Sequence, residues 1–154
     1  MKIKLLQIRE AKGESITSPL AVVRLMKEEA KADRECVWVL HLNTKHMVIE
    51  KEIVSIGTLN SSVIAPREVF KRAILNSAYA IIMVHNHPSG DPYPSLSDEQ
   101  TIIQLGHAGY ILGISLLDYI IISPSGAYWS ARERGYMDHL KEYEFLVRYL
   151  LGEL

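Results

Sequence analysis

The sequence carries one cysteine, Cys36, among 154 residues. No intramolecular disulfide can form, and every zinc site built from two or more thiolates is excluded. Long apolar runs are missing as well. None approaches the roughly 20 residues needed to span a bilayer, so no membrane partner is expected. Residues 1–15, MKIKLLQIREAKGES, break into charge too early for a signal-peptide core, and a cytoplasmic protein is the expectation. Neither sign of charge dominates: 17 Lys+Arg against 18 Asp+Glu leave a formal charge of -1. Bulk-charge binding of nucleic acid is thereby excluded, leaving only a local patch open. Three enzyme signatures are absent too: the H-E-x-x-H of zincins, the P-C-x-x-C of zinc deaminases and the G-x-x-x-x-G-K-[ST] phosphate loop.

What is present has ordinary proportions, 48% hydrophobic and 23% charged, as in soluble globular proteins. The length suits a single domain over 1–154. Alternation over 1–12 fits a short strand or an ordered arm. Ser18-Pro19 reads as N-cap and first helical position of a helix over 19–32, with Leu20, Val23, Leu25, Met26 and Ala30 on its apolar face. Residues 36–42 (CVWVLHL) read as a buried central strand. A turn at Asn43-Thr44-Lys45 joins it to a second strand over 47–57 in an antiparallel hairpin.

Pro66 opens a second helix, with Val69, Phe70, Ala73, Ile74 and Leu75 on its apolar side. Residues 80–84 (AIIMV) read as an interior strand, and a third helix covers 98–108 with Gly106, Gly109 and Gly113 as a glycine-rich exit. A strand over 114–123, a turn (SPSG) and a short returning strand (AYWS) follow. In the tail, Leu140, Tyr143, Val147, Leu150 and Leu154 fall at helical spacing. One antiparallel sheet with flanking helices is the α/β or α+β class.

Chemistry concentrates in one stretch. His85-Asn86-His87 stands where an apolar strand runs out, and alternate residues of extended chain share a face. Two imidazoles at that spacing can converge on one metal ion. Pro88, Pro92 and Pro94 then stiffen the following loop by restricting φ and removing backbone donors. Ser95-x-x-Asp98 and Ser97-x-x-Gln100 both have capping-box form, and either puts Asp98 in a first helical turn. The helix dipole favours an ionised carboxylate there, as metal ligation requires. Two histidines and one carboxylate leave a fourth position for water, the arrangement of a catalytic zinc site. Singly, Asp98 is an ordinary helix-start acid, and Asn86 and Ser89 are ordinary turn residues; the joint pattern is what points to metal.

His85-x-His87-Pro88 followed by Ser95-x-x-Asp98 matches the H-x-H-x7-S-x-x-D motif of the JAMM (MPN+) metalloproteases, and HNHPSGDPYPS…D resembles the RadC branch of that superfamily. Residues 42–78 and 113–123 extend the resemblance, which covers roughly 15–137 and leaves 138–154 as a helical extension. It implies a JAMM/MPN-like (cytidine-deaminase-like) mixed sheet flanked by helices. It also implies a zinc ion held by His85, His87 and Asp98, a glutamate hydrogen-bonded to the zinc-bound water, and Ser95 hydrogen-bonding an oxyanion. Glu35, Glu50, Glu52 and Glu68 are candidates for the glutamate. The family places it just before the first apolar strand after the first helix, which matches Glu35. Glu50 and Glu52 alternate on the hairpin and are expected to face solvent, and Glu68 lies in a first helical turn.

The implied activity is hydrolysis of a peptide or isopeptide bond by a zinc-activated water, with a peptide or protein as substrate. The alternative is a RadC-like accessory to DNA repair or recombination, a binding module that retains the site. Such proteins usually carry a helix-hairpin-helix segment ahead of this domain. The residues preceding Cys36 are too few to hold one, which weakens DNA as a partner. The amphipathic tail is expected to pack on its own domain or to join two copies of the chain. Cys36 reads as a small core residue and Trp38 and Trp129 as sheet packing. His41 and His46 read as surface or hairpin residues, His107 and His139 as helical residues without a role, and Arg67, Lys71 and Arg72 as a solvated face.

Overall fold

A computed structural model describes residues 10–57, 64–138, 140 and 148–153. Most of the sequence-predicted N-terminal arm, His139, and most of the tail over 138–154 therefore lie outside the described residues. The strands are β1 (Lys12–Ser15), β2 (Cys36–Leu42), β3 (Met47–Ile56), β4 (Ala80–Asn86), β5 (Ser115–Ile122) and β6 (Tyr128–Ser130). The helices are α1 (Pro19–Leu25), α2 (Pro66–Leu75) and α3 (Leu96–Leu112). All six strands form one sheet in the order β1-β3-β2-β4-β5-β6.

The sheet is mixed, as the family resemblance implies, and not purely antiparallel. β4 and β5 run parallel because α3 carries the chain back between them, whereas every other neighbouring pair is antiparallel. β2 lies between β3 and β4, and every residue of it is buried. Its odd-numbered residues Val37 and Val39 join Ile81, Met83, Tyr119 and Ile121 under α2 and α3, against Val69, Phe70, Ala73, Ile102 and Leu105. Its even-numbered residues Trp38, Leu40 and Leu42 join Ile82, Val84, Ile120 and Ile122 on the opposite face, against Val22, Met26 and Ala30. Cys36 and Trp38 belong to that second cluster and Trp129 to the first, as expected.

Three boundaries differ from the sequence reading. The first helix ends at Leu25 and is followed by a 3-10 turn over Glu29–Lys31. The face it buries is Val22-Met26-Ala30, spaced by four, while Leu20 and Leu25 are exposed. Bonds from Met26 N to Val22 O and from Ala30 N to Met26 O keep that stripe on the sheet through the change of helix type. α3 is longer than 98–108, and Gly106 and Gly109 lie inside it. A side chain at Gly109 would run into the Ile114 carbonyl and stand 3.2 Å from the Phe70 ring, so these glycines serve close packing. Only Gly113 makes the exit, as a left-handed C-cap with φ 71°. Finally, β4 continues past residue 84 to Asn86, so His85 is a strand residue held in the sheet. No helix among the described residues is long and apolar enough to cross a membrane.

Candidate metal centre

β4 brings the α2/α3 face of the sheet up to His85, which pairs with Val37 of β2 and Ile121 of β5. One step beyond the strand, His87 N bonds Ile122 O at 2.9 Å, so the chain stays extended through both histidines. The two rings share a face, as their spacing predicts, with centroids 4.7 Å apart and planes nearly perpendicular. A turn follows, closed by Gly90 N to His87 O (3.1 Å); Gly90 adopts φ 93°, which glycine tolerates without strain. Ser95 is the N-cap of α3, with a complete capping box: its Oγ accepts from Asp98 N (3.1 Å) and its backbone N donates to Asp98 Oδ2 (2.9 Å).

Each histidine has its Nδ1 against an oxygen. His85 Nδ1 lies 3.0 Å from Asp98 Oδ1, and His87 Nδ1 lies 2.8 Å from the carbonyl of Asp91. An acceptor at Nδ1 fixes the tautomer in which Nδ1 carries the proton and Nε2 presents its lone pair, which is how metal-binding histidines are usually held. His85 Nε2 is buried and has no hydrogen-bond partner among the described residues. Glu35 Oε2 stands 3.9 Å from it, and His87 Nε2 is 3.6 Å from Asp98 Oδ2. One ligand atom each of Glu35, His85 and His87 lie within 4.8 Å of one another, a spacing that could hold a cation.

Asp98 is completely buried and densely bonded. Besides His85 and the Ser95 amide, it accepts the Ser95 hydroxyl at Oδ2 (2.9 Å) and the Tyr119 hydroxyl at Oδ1 (2.8 Å). Burial opposes its charge, but the hydrogen bond from His85, the approach of His87 and the Ser95 amide hold its carboxyl well below the usual carboxylate range. Burial lowers His87, yet the Asp98 carboxylate and the Asp91 carbonyl outweigh it and raise that imidazole. Burial, the Asp98 charge and the hydrogen bond to Asp98 push Tyr119 well above its ordinary value, so its hydroxyl is a fixed donor.

The structure therefore brings Glu35, His85, His87, Ser95 and Asp98 to one end of the sheet. Its ligand-spaced trio takes Glu35 as the carboxylate, while Asp98 adjoins it, anchoring His85 from behind and approaching His87. The Ser95 hydroxyl points its proton at Asp98 Oδ2.

Elsewhere the structure corrects several expectations. His41 is fully buried, because β2 is covered on both faces, with Nδ1 on Asn76 (2.8 Å) and Nε2 3.1 Å from Glu52 Oε2. Glu50 and Glu52 do not face solvent: Glu50 pairs with Arg72 (2.9 Å) and accepts from Asn76 (2.6 Å). Arg72 is thus part of an ion pair tying α2 to the hairpin. Glu68 is half-buried beside Lys71 (3.2 Å), in the first turn of α2. The sequence reading missed two residues, Tyr119 and Asn86. Tyr119 could have been suspected as the one hydroxyl in the apolar run of β5, since a buried hydroxyl needs a partner. Asn86 reads as a turn residue but is a fully buried strand residue, and the same rule applies to it.

A family model for the RadC-like JAB domain matches residues 16–136, a span that contains all five of these side chains. The chain belongs to the RadC family. Among the relatives it resembles is a UPF0758 protein of Caldanaerobacter subterraneus, 46% identical over 136 residues that make up 88% of this chain and 58% of that protein. A UPF0758 protein of Chlorobium chlorochromatii is 53% identical over 102 residues, 66% of this chain and 46% of that one. One from Methanosarcina mazei is 43% identical over 129 residues, 83% and 56% of the two chains. The chain spans about half the length of these RadC-family relatives.

Proposed function

We propose that this RadC-family chain is a zinc-dependent metallohydrolase of the JAMM type, cleaving a peptide or isopeptide bond. The observation that carries the reading is the buried Nε2 of His85, without a hydrogen-bond partner among the described residues, in a trio with Glu35 and His87 whose ligand atoms lie within 4.8 Å, with both Nδ1 atoms tied to oxygen. A buried polar atom without a partner costs about 1–3 kcal/mol. A cation bound there would satisfy it. His85, His87 and Asp98 would hold the zinc, and the donor set of two imidazoles and one carboxylate suits a catalytic site. When bound, zinc supplies Lewis acidity and a water acidic enough to be deprotonated near neutral pH.

The chain's own groups do the rest. The Glu35 side chain is 41% exposed, with its carboxylate facing both His85 and solvent. It takes a proton from the attacking water and delivers it to the departing amine. Tyr119 and Ser95 keep Asp98 ionised and oriented. Turned from Asp98 Oδ2 toward substrate, the Ser95 hydroxyl would stabilise developing oxyanion charge by a few kcal/mol.

The test is metal analysis of purified protein beside hydrolysis of a mixed peptide and isopeptide library. Wild type should carry about one zinc per chain, as expected for a single three-ligand site. His85→Ala and Asp98→Ala should lose it, and Glu35→Gln should keep the metal and lose hydrolysis. Zinc retained by Asp98→Ala and lost by Glu35→Gln would exchange the two carboxylates' roles. A zinc-loaded wild type that hydrolyses nothing in the library would sink the peptidase reading and leave a binding module.

A further inference from the structure

Glu35 comes from a segment distant in sequence from both histidines, and its carboxylate makes no hydrogen bond among the described residues beyond its approach to His85. What the fold fixes for that carboxylate is therefore the backbone from which it reaches. The β2–β4 ladder ends at the pair Val37↔His85. The next donor, Cys36 N–H, is taken by a side chain: Asn86 Oδ1, at 2.7 Å. The same amide donates from Nδ2 to Arg34 O (3.0 Å) and to Ala32 O (3.4 Å).

These contacts hold both peptide units that flank Glu35, one by its carbonyl (Arg34) and the other by its N–H (Cys36). Gly57 N donates to the Glu35 carbonyl itself at 2.7 Å from the β3 side. With the peptide planes before and after it fixed, the φ and ψ of Glu35 are set, and so are the place of its Cα and the direction of its Cα–Cβ bond, from which the carboxylate reaches. Asn86 stands between His85 and His87 in sequence, is fully buried, and projects to the opposite face of the strand. Three consecutive residues thus present two imidazoles on one face and clamp the acid-bearing segment from the other.

We infer that Asn86 is a positioning residue for Glu35, setting the distance between that carboxylate and the metal site formed by the flanking histidines. The inference rests on the metal reading above. Its test is a double-mutant cycle with cobalt(II) as the probe, titrated into the chelator-treated chain and followed by visible absorption. Circular dichroism melts verify that each variant is folded at the assay temperature.

Removing an outer partner of a metal site typically weakens binding about 10- to 100-fold. Glu35→Ala and Asn86→Ala should each raise the cobalt dissociation constant about tenfold, at the low end of that range. The double variant should match Glu35→Ala alone, because a residue that acts through Glu35 has nothing left to position. Should Asn86→Ala prove unstable, Asn86→Asp is read in the same cycle. It keeps an acceptor for Cys36 N–H but sets a carboxylate against the Arg34 and Ala32 carbonyls. Equal weakening by the Asn86 variant with and without Glu35, or no weakening at all, overturns the inference while leaving the metal site standing. A wild-type chain that takes up no cobalt overturns the metal reading and this inference with it.

Discussion

Asp98→Ala should destabilise the metal-free chain by about 3–5 kcal/mol, because it leaves several buried hydrogen-bond donors without an acceptor. The carboxylate it deletes collects four donors besides the approach of His87: His85 Nδ1, the Tyr119 hydroxyl, and the amide and hydroxyl of Ser95. The Tyr119 hydroxyl and the His85 ring are buried and have no water to turn to. Each group so stranded costs about 1–3 kcal/mol. Losing the Asp98 half of the capping box adds less, because Ser95 Oγ still accepts from residue 98 N. Partial relaxation keeps the total below the sum.

The same carboxylate sets a pH signature. Asp98 titrates below its ordinary 3.8, so its stabilisation is complete above about that pH and is lost as pH falls through the lowered value. His87 titrates above its ordinary 6.5, so its stabilisation is complete below that pH and is lost as pH rises through the raised value. From these two groups, stability should be highest between them, and Asp98→Ala should flatten both arms because each shift depends on Asp98. Urea unfolding followed by far-ultraviolet circular dichroism across pH, with chelator present, measures this directly. A variant with the wild-type midpoint and the wild-type pH profile would refute the account of the site.

Two further outcomes follow from packing. Gly109→Ala should cost about 1–3 kcal/mol, since the added methyl meets the Ile114 backbone and the Phe70 ring, and a backbone carbonyl cannot step aside as a side-chain tip can; a melting temperature equal to wild type would show that α3 has room to shift. Asp118 accepts from Tyr119 N (2.8 Å), Arg132 N (3.0 Å) and Ser130 Oγ (2.6 Å), tying β5 to the end of β6 and the chain after it. Asp118→Ala should cost about 2–4 kcal/mol, from donors left without an acceptor, and Asp118→Asn less. Thermal melts of the pair, with the alanine variant no worse than the asparagine one, would contradict that role.

What could be read from the residues was local. Ser18-Pro19 and Ser95-x-x-Asp98 announce helix starts because a cap is an interaction across three residues, and both stand in the structure as expected. CVWVLHL declares a central strand because a strand flanked and covered on both sides is nearly all apolar. His85-x-His87 announces two rings on one face because the strand period is two. The errors lay where partners are remote. Val22 and not Leu25 faces the sheet because α1 rolls toward the cluster that includes Trp38, Leu40 and Ile82. His41 is buried with the rest of β2, but its partners Asn76 and Glu52 come from α2's end and β3, and nothing within CVWVLHLNTK encodes them.

The chain by itself determined its family, its elements and the His85–Asp98 stretch, all written in short-range spacing and backbone chemistry. Only the tertiary structure brought Glu35 to within 3.9 Å of His85, set the Tyr119 hydroxyl on Asp98, and bound Asn86 to the segment from Ala32 to Cys36. Those contacts join residues 21 to 54 positions apart. They form when the sheet assembles, and no local pattern of residues carries them.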